Sequence, residues 1–427
     1  MRLSPQPERP RDFAAADVLL DAHLSPTSAA PLAVAYSGGG DSLALLLAVA
    51  AWSRPLGRRV IVLHVDHGLQ AASGAWVEHC RQTAEALGLP FQALAWTGDK
   101  PERGLPAAAR AARHSLLAQA ARAKGARVLL MGHTADDVLE ARQMRRDGAT
   151  TPEPRPWGPS PAWPEGRDLF ILRPLLRSTR ADLRAHLRRQ PLTWIEDPAN
   201  LDPTYARSRA RAHLAQTPSP MGEPAARAAD LRPLARIARH DATGTIVWDR
   251  RAVRSATSTD LARMVAVACL CAAGGVRPPR RGAVDRIVTR LAADGDFVAT
   301  LAGARIVADS RVLQVSREAG EAARGGLATV TLAPGVSLVW DGRFEVVSDH
   351  PGWSIGPLAG RMSALAPASR QALRSVLPAL RRALPALISP EGEVVLAAPG
   401  IAVQGLVQAR FDAASGLIAQ EPNEAAD

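Results

Sequence analysis

LAVAYSGGGDSLALLLAVA, residues 32–50, places a short apolar run ahead of a polar glycine turn and a long run of helix formers. Leu32 to Tyr36 has the length of a buried parallel strand. Ser37-Gly38-Gly39-Gly40-Asp41-Ser42 follows, and Leu43 to Ala51 continues as helix. A strand feeding a glycine turn into a helix N-terminus makes an anion site, because the glycines allow close backbone approach and the unpaired helix amides point at the ligand. The Walker pattern is excluded, since no Lys follows the second Gly, and Asp41-Ser42 replaces the third glycine of GxGxxG. Ser37 and Ser42 are placed to donate to phosphate oxygens, and Asp41 to hold Mg²⁺ on them. A tight strand–helix turn explains any one of these residues; the six together after a buried strand point to phosphate.

Composition narrows the partner. The 427 residues carry a net charge of +11, with Arg supplying nearly all the positive charge. Residues 1–217 hold +7 of it and the remainder +4, so both halves are basic and suit a polyanion. Three cysteines, Cys80, Cys269 and Cys271, build neither a disulfide framework nor a four-ligand zinc site. Cys269 and Cys271 sit in an apolar helical run and are expected to be packed. Neither a signal-peptide pattern nor an 18-residue apolar span is present, so a soluble, cytoplasmic protein without a membrane partner is expected.

Outward from the loop, strand and helix alternate. A helix is expected over Asp12–Leu24, strands at Arg59–Val65, Phe91–Trp96 and Val128–Met131, and helices at Ser73–Leu87 and Leu105–Lys124. That order argues an α/β fold with a doubly wound parallel sheet, whose ligands bind beyond the carboxyl ends of the strands. SGGGDS, HVDHGL from His64 and GHTADD from Gly132 all fall there. Thr150–Arg167, dense in Pro and Trp, is expected to be a loop. Phe170 to Leu176 returns to the apolar pattern, and a helix is expected over Ser178–Arg189. Nine Arg face four acids between Arg173 and His213. After a Pro/Ser break near Thr217–Pro224, helices are expected to about Ala292, hairpin strands over 297–317 and in parts of 327–348, helix over 360–387 and short strands around 393–409.

The second chemical cluster opens a helix. Asp136 and Glu140 share one face of it and Asp137 lies beside them. They can coordinate Mg²⁺, hold an ammonium or take a proton from an amine; helix capping by Thr134 and Asp136–Asp137 is the structural alternative. Arg110 and Arg113, three apart on one helix face, match a triphosphate or a solvated surface. Asp66 and His67 sit at a strand end, close to any nucleotide on the loop.

SGGGDS resembles the signature of the PP-loop ATP pyrophosphatases, which cleave ATP between the α and β phosphates. With HVDHGL, AR-x-x-RH, GH-x-x-DD-x-x-E, RPLL and W-x-EDPAN-x-D-x-x-YARS, the chain resembles the tRNA(Ile)-lysidine synthetase family, continuously from about Leu32 to Arg211. The resemblance implies a PP-loop catalytic domain over 12–217, a mainly helical tRNA-binding domain over 218–320 and a small α+β domain over 321–427. It implies ATP and Mg²⁺, with Ser37, Gly38, Gly39, Gly40, Asp41 and Ser42 on phosphate, Asp66 and His67 beside the nucleotide, and Asp41 with Asp136 on the metal. Arg113 falls near the polyphosphate; His133 and Asp137 fall at the reacting centre, with Asp137 the candidate base and Asp137 and Glu140 on the lysine. The substrates implied are free L-lysine and the tRNA(Ile) with a CAU anticodon, whose wobble cytidine becomes lysidine. Arg207, Arg209 and Arg211, in the stretch leaving the ATP domain, are placed to contact RNA, or else to pair with Glu196, Asp197 and Asp202. Thr134 stands where the family has a second His, and His114 where it has a Tyr. A tRNA 2-thiolating PP-loop enzyme and a non-catalytic RNA-binding protein on the same fold are the alternatives. The sequence leaves the oligomeric state open.

Overall fold

Alternation along two short strands sets the layers of the first part of the chain. Leu32 and Val34 of β1 (Leu32–Ala35) enter one apolar core and Ala33 enters another on the opposite face of the sheet. Val128 and Leu130 of β4 (Val128–Met131) join the first core, while Leu129 and Met131 join the second. Strands covered on both faces have no polar side to show, which explains their unbroken apolar sequence. A computed structural model describes residues 13–98, 100–149, 153–198, 202, 204, 206–216, 229–293, 295–320 and 327–422. Asp12, the break near Thr217–Pro224, and Asn200 and Tyr205 of the WxEDPAN…YARS motif lie outside them.

The chain forms two compact units, one running to residue 225 and resuming at Ile418, the other spanning Ala226–Leu417. In the first, α1 (Ala14–His23) precedes β1, and α2 (Gly40–Ser53) follows it. Next come β2 (Val60–Asp66), α3 (Ser73–Ala86), β3 (Phe91–Ala95), α4 (Leu105–Ala123), β4 and α5 (Ala135–Arg146). Then come β5 (Trp157–Pro159), β6 (Phe170–Leu172), α6 (Arg180–Leu187) and α7 (Ala206–Gln216). The sheet order is β3-β2-β1-β4-β6-β5, all parallel except β5. The order reverses between β1 and β4, the position at which open α/β sheets leave a crevice. SGGGDS ends β1 and GHTADD ends β4, so both motifs open onto that crevice.

The expected Thr150–Arg167 loop contains β5. Trp157 is held there by stacking, with ring centroids 4.9 Å from Phe170 and 5.0 Å from His23. A Pro is tolerated in it because β5 is an edge strand. The helix expected from Ser178 starts at Arg180, because Thr179 is the cap and accepts from Asp182 N.

The resumed segment completes this unit. Trp157 Nε1 donates to Ile418 O at 2.8 Å, and Glu421 N to His23 O at 2.7 Å. The Glu421 carboxylate accepts from Ser25 N at 3.0 Å and from both terminal nitrogens of Arg58, at 2.9 and 3.1 Å. This ion pair is sealed, with side chains 2% and 0% exposed.

The second unit opens with α8 (Arg232–Arg236), then β7 (Arg239–His240), β8 (Ile246–Asp249), α9 (Arg250–Arg254), α10 (Ser258–Ala272) and α11 (Arg281–Ala292). β9 (Phe297–Leu301), β10 (Ala304–Ala308) and β11 (Val312–Arg317) complete an antiparallel sheet ordered β7-β8-β11-β10-β9. Sheet therefore interrupts the helical run expected before Ala292: Trp248 on β8 is buried in the same core as Cys269 and Cys271. Two smaller antiparallel sheets follow, and the stretch 360–387 holds only short helical turns before a strand at Pro385–Ile388.

Removing Glu421 leaves a buried guanidinium without its counter-charge, which typically costs about 3–5 kcal/mol. Glu421→Ala is therefore expected to lower the urea midpoint of the first unit, and Arg58→Met/Glu421→Leu to recover much of the loss. Equal midpoints for wild type and Glu421→Ala would show that the strap carries no stability.

Candidate active site

The glycine turn is shaped by a segment far away in sequence. Gly38 adopts φ +87°, and a Cβ there would lie 2.5 Å from Ile195 Cδ1 and 3.0 Å from Cys80 Sγ. Ile195 N donates to Gly38 O at 2.9 Å. Only a glycine satisfies both the left-handed backbone and this approach. Ser42 Oγ donates to Gly39 O at 2.8 Å and lies 3.0 Å from Ser37 Oγ, and Ser37 N donates to it at 3.2 Å. Gly39 caps α2 without a side-chain bond, leaving the first helix amides directed at a cleft of about 1010 Å³. Ser37, Gly39, Gly40, Asp41 and Ser42 line that cleft; so do Asp66, His67, Arg113, His133, Asp137, Arg180, Arg207 and Arg211. Gly132 at the end of β4 packs on the turn, because a Cβ there would meet Asp41 O at 2.9 Å.

A network of carboxylates and guanidiniums forms one wall. Arg180 Nε donates to Asp41 Oδ2 at 2.9 Å, Nη1 to Glu140 at 3.1 Å and Nη2 to Asp137 at 3.4 Å. Its main-chain N donates to Asp136 Oδ2 at 2.7 Å. Arg207 bonds Asp137 and Glu140, each at 2.8 Å, and Arg211 bonds Glu140 at 2.9 Å. Asp137 closes a capping box, accepting from Thr134 N at 2.7 Å and Thr134 Oγ1 at 3.1 Å. Burial raises Asp41's pKa, and the charge of Arg180 only partly offsets this. Burial opposes the charge on Arg180 itself, but Asp41, Glu140 and Asp137 outweigh it and hold the guanidinium firmly protonated. Burial also works against Glu140, yet the Arg211 hydrogen bond and the charges of Arg207, Arg211 and Arg180 bring its pKa below the ordinary value.

These partners differ from those read in the sequence. Arg207 and Arg211 pair with Asp137 and Glu140 across the α5–α7 contact rather than with Glu196, Asp197 or Asp202, and Arg209 donates to Thr204 O at 2.8 Å. Glu196 pairs with Arg184. Glu140, 1% exposed, lies behind its arginines and does not line the cleft. Arg180 and Ile195 carry the site's geometry and were not singled out in the sequence, although Ile195 is the unspecified position of the W-x-EDPAN motif; the Thr-Arg start of α6 just after RPLL was the available signal for Arg180.

His133, just before α5, accepts at Nδ1 from Arg173 Nε, at 3.1 Å. Burial and then the charges of Arg173, Arg113, Arg207 and Arg110 hold its pKa far below the ordinary histidine value. The ring is therefore neutral, and its remaining proton sits on Nε2. Burial followed by Arg113 lowers the pKa of His67. Asp66 Oδ1 accepts from Gly68 N at 2.8 Å, shaping the turn after β2.

Magnesium usually takes one or two carboxylates and completes its shell with phosphate oxygens and water. Asp41 lines the cleft and supplies one such carboxylate, whereas Asp136 does not line it and its Oδ2 accepts from Arg180 N. Among the described residues no group of three or more His, Cys, Asp or Glu is arranged to hold a metal without such help.

A parallel sheet with a glycine turn at its switch point, lined by anion donors, defines the PP-loop class, and residues 15–217 match the ATP_bind_3 PP-loop domain family. The tRNA(Ile)-lysidine synthase of Caulobacter vibrioides is 49% identical over 413 residues, covering 94% of this chain and 97% of that protein. Those of Mesorhizobium japonicum and Hyphomonas neptunium are 35% and 33% identical, over 88% and 78% of this chain and 87% and 91% of their own lengths. The chain belongs to the tRNA(Ile)-lysidine synthase family.

Because Glu140's pKa is depressed in the folded state, its contribution to stability is present above the ordinary glutamate value of 4.5 and lost as pH falls through the lower folded value. Glu140→Gln is expected to lower the melting temperature at pH 7 and to flatten its decline below pH 4.5. Thermal unfolding across that range checks this, and an unaltered profile would remove Glu140 as the anchor of α7.

Proposed function

We propose that this chain converts the wobble cytidine of a CAU-anticodon tRNA(Ile) to lysidine, using ATP and free L-lysine. The observation that carries the reading is the likeness over nearly the whole of a lysidine synthase, combined with an intact glycine turn facing the cleft. The cytidine 2-oxygen is a poor leaving group. It attacks the α-phosphorus of ATP, pyrophosphate departs and the base carries AMP on that oxygen. The lysine ε-amine then attacks C2, and AMP leaves with the former 2-oxygen.

The roles follow from position. The α2 amides with Ser37 and Ser42 cradle the polyphosphate, and Arg113 neutralises charge that builds on it. Mg²⁺ held by Asp41, with Asp136 close behind through Arg180, would withdraw further charge from the phosphates. Neutral His133 donates through Nε2–H to a developing negative oxygen and does not deliver a proton from an imidazolium. Asp137 lines the cleft and is the base for the incoming ammonium; to act, it exchanges a guanidinium contact at Oδ1 for the amine. Lysine reaches Glu140 only by displacing Arg207 and Arg211. ATP and free lysine as co-substrates fit a cytoplasmic setting, and among the described residues no helix is long and apolar enough to cross a membrane.

The thiolation alternative asks for a reactive sulfur. Burial pushes Cys80, Cys269 and Cys271 each up to about 12, which keeps the thiols protonated and inert.

Mass spectrometry of a CAU-anticodon tRNA(Ile) transcript after incubation with protein, ATP, Mg²⁺ and lysine is expected to find lysidine at the wobble position. Its absence would overturn the reading. Asp41→Ala is expected to cut pyrophosphate release at least tenfold while tRNA binding stays near wild type, as for the loss of a group acting on metal and phosphate. Pyrophosphate release at the normal rate would take Asp41 out of the chemistry.

A further inference from the structure

Arginines around the cleft fall into two populations. Arg180, Arg184, Arg207 and Arg211 each pair with a carboxylate. Arg110, Arg113 and Arg173 do not among the described residues, although they face one another. Arg110 and Arg113 stand one turn apart on α4, and Arg173 follows β6 with Nε on His133 and Nη1 on Arg155 O, at 2.9 Å. Arg113 Nε is buried without a hydrogen-bond partner. Asp137 is the nearby carboxylate, and its oxygens already accept from Thr134, Arg180 and Arg207. Burial and then the charge of Arg110 bring the pKa values of Arg113 and Arg173 to about 10. Three like charges with one shared, already paired carboxylate leave donors available to an anionic ligand.

Position says which ligand. Arg113 and His133 line the cleft, whereas Arg110 and Arg173 flank it from outside, and Arg110 is exposed. On the lysidine-forming reading, the glycine turn inside takes the polyphosphate of ATP. We propose that Arg110 and Arg173 bind a backbone phosphodiester of the RNA beside the target nucleotide, with Arg113 standing between that phosphate and the polyphosphate. The inference rests on the lysidine-forming reading and adds to it a register device: a phosphate gripped here fixes which nucleotide reaches the cleft. Arg173 holds His133 in its Nε2–H form at the same time, so seating the RNA and orienting the donor become one event.

The test compares wild type, Arg110→Gln, Arg173→Gln, the double variant and Arg173→Lys, using the CAU-anticodon tRNA(Ile) transcript. Binding is measured as log K against log salt, and ATP affinity separately. Each lost contact to a single-stranded phosphate is expected to flatten the slope by about 0.7, hence by about 1.4 in the double variant, with ATP affinity within twofold of normal. Arg173→Lys, which keeps the charge, is expected to keep the slope. An unchanged slope in the double variant overturns the proposal. So does an equal loss of ATP affinity, which assigns the cluster to the triphosphate. Melting temperatures identify any variant that misfolds, and Arg173→Lys then stands against Arg110→Gln as the deciding pair. If wild type binds the tRNA but forms no lysidine, the functional reading fails while the slopes still decide this one.

Discussion

Arg180 is the residue on which the wall of the cleft depends. Its guanidinium reaches Asp41, Asp137 and Glu140, and its main-chain nitrogen reaches Asp136. It thereby ties the glycine turn to the helix that opens after β4. Charges taken this far out of water are tolerated only when their partners are close and their remaining donors are used. Arg207 and Arg211 supply the rest, so Asp41, Asp137 and Glu140 meet three guanidiniums, while Asp136 accepts from a main-chain N–H. Any cationic substrate entering here replaces a cation already present. The wall thus exchanges like for like and does not wait as a bare acidic pocket.

A second cluster follows the reverse rule. Arg110, Arg113 and Arg173 gather positive charge near the already paired Asp137, and His114 and His133 beside them are kept neutral. Burial followed by these arginines takes His114 to about 3. A neutral imidazole costs less to bury beside guanidiniums than an imidazolium would. One cluster is therefore balanced and the other is left positive, which suits a reaction bringing an amine and phosphates to the same atom.

Much of this was legible before any coordinates. The buried strands declare themselves because both faces are covered, and the glycine turn because phosphate chemistry admits few residue types at that spacing. What stayed hidden depends on contacts with no local signature. β5 lies in a Pro- and Trp-rich stretch whose strand character comes from pairing with Phe170–Leu172, not from propensity. β8 has only four residues and pairs with β11 more than sixty positions away. Arg207 and Arg211 looked like surface charge because their nearest acids in sequence are Asp202, Asp197 and Glu196; their true partners are reached across α5 and α7. Residue type was readable, and its partner was not.

The strap at Ile418–Glu421 has a consequence for how the protein is made and cut. Synthesis delivers Arg58 early and its counter-ion only after the whole of the second unit. Until then the nascent first unit holds a guanidinium that reaches Ser25 O and Ala30 O but lacks its carboxylate. A fragment trimmed to the matched PP-loop segment, residues 15–217, would keep Arg58 without that carboxylate, so its stability would not measure that of the whole unit.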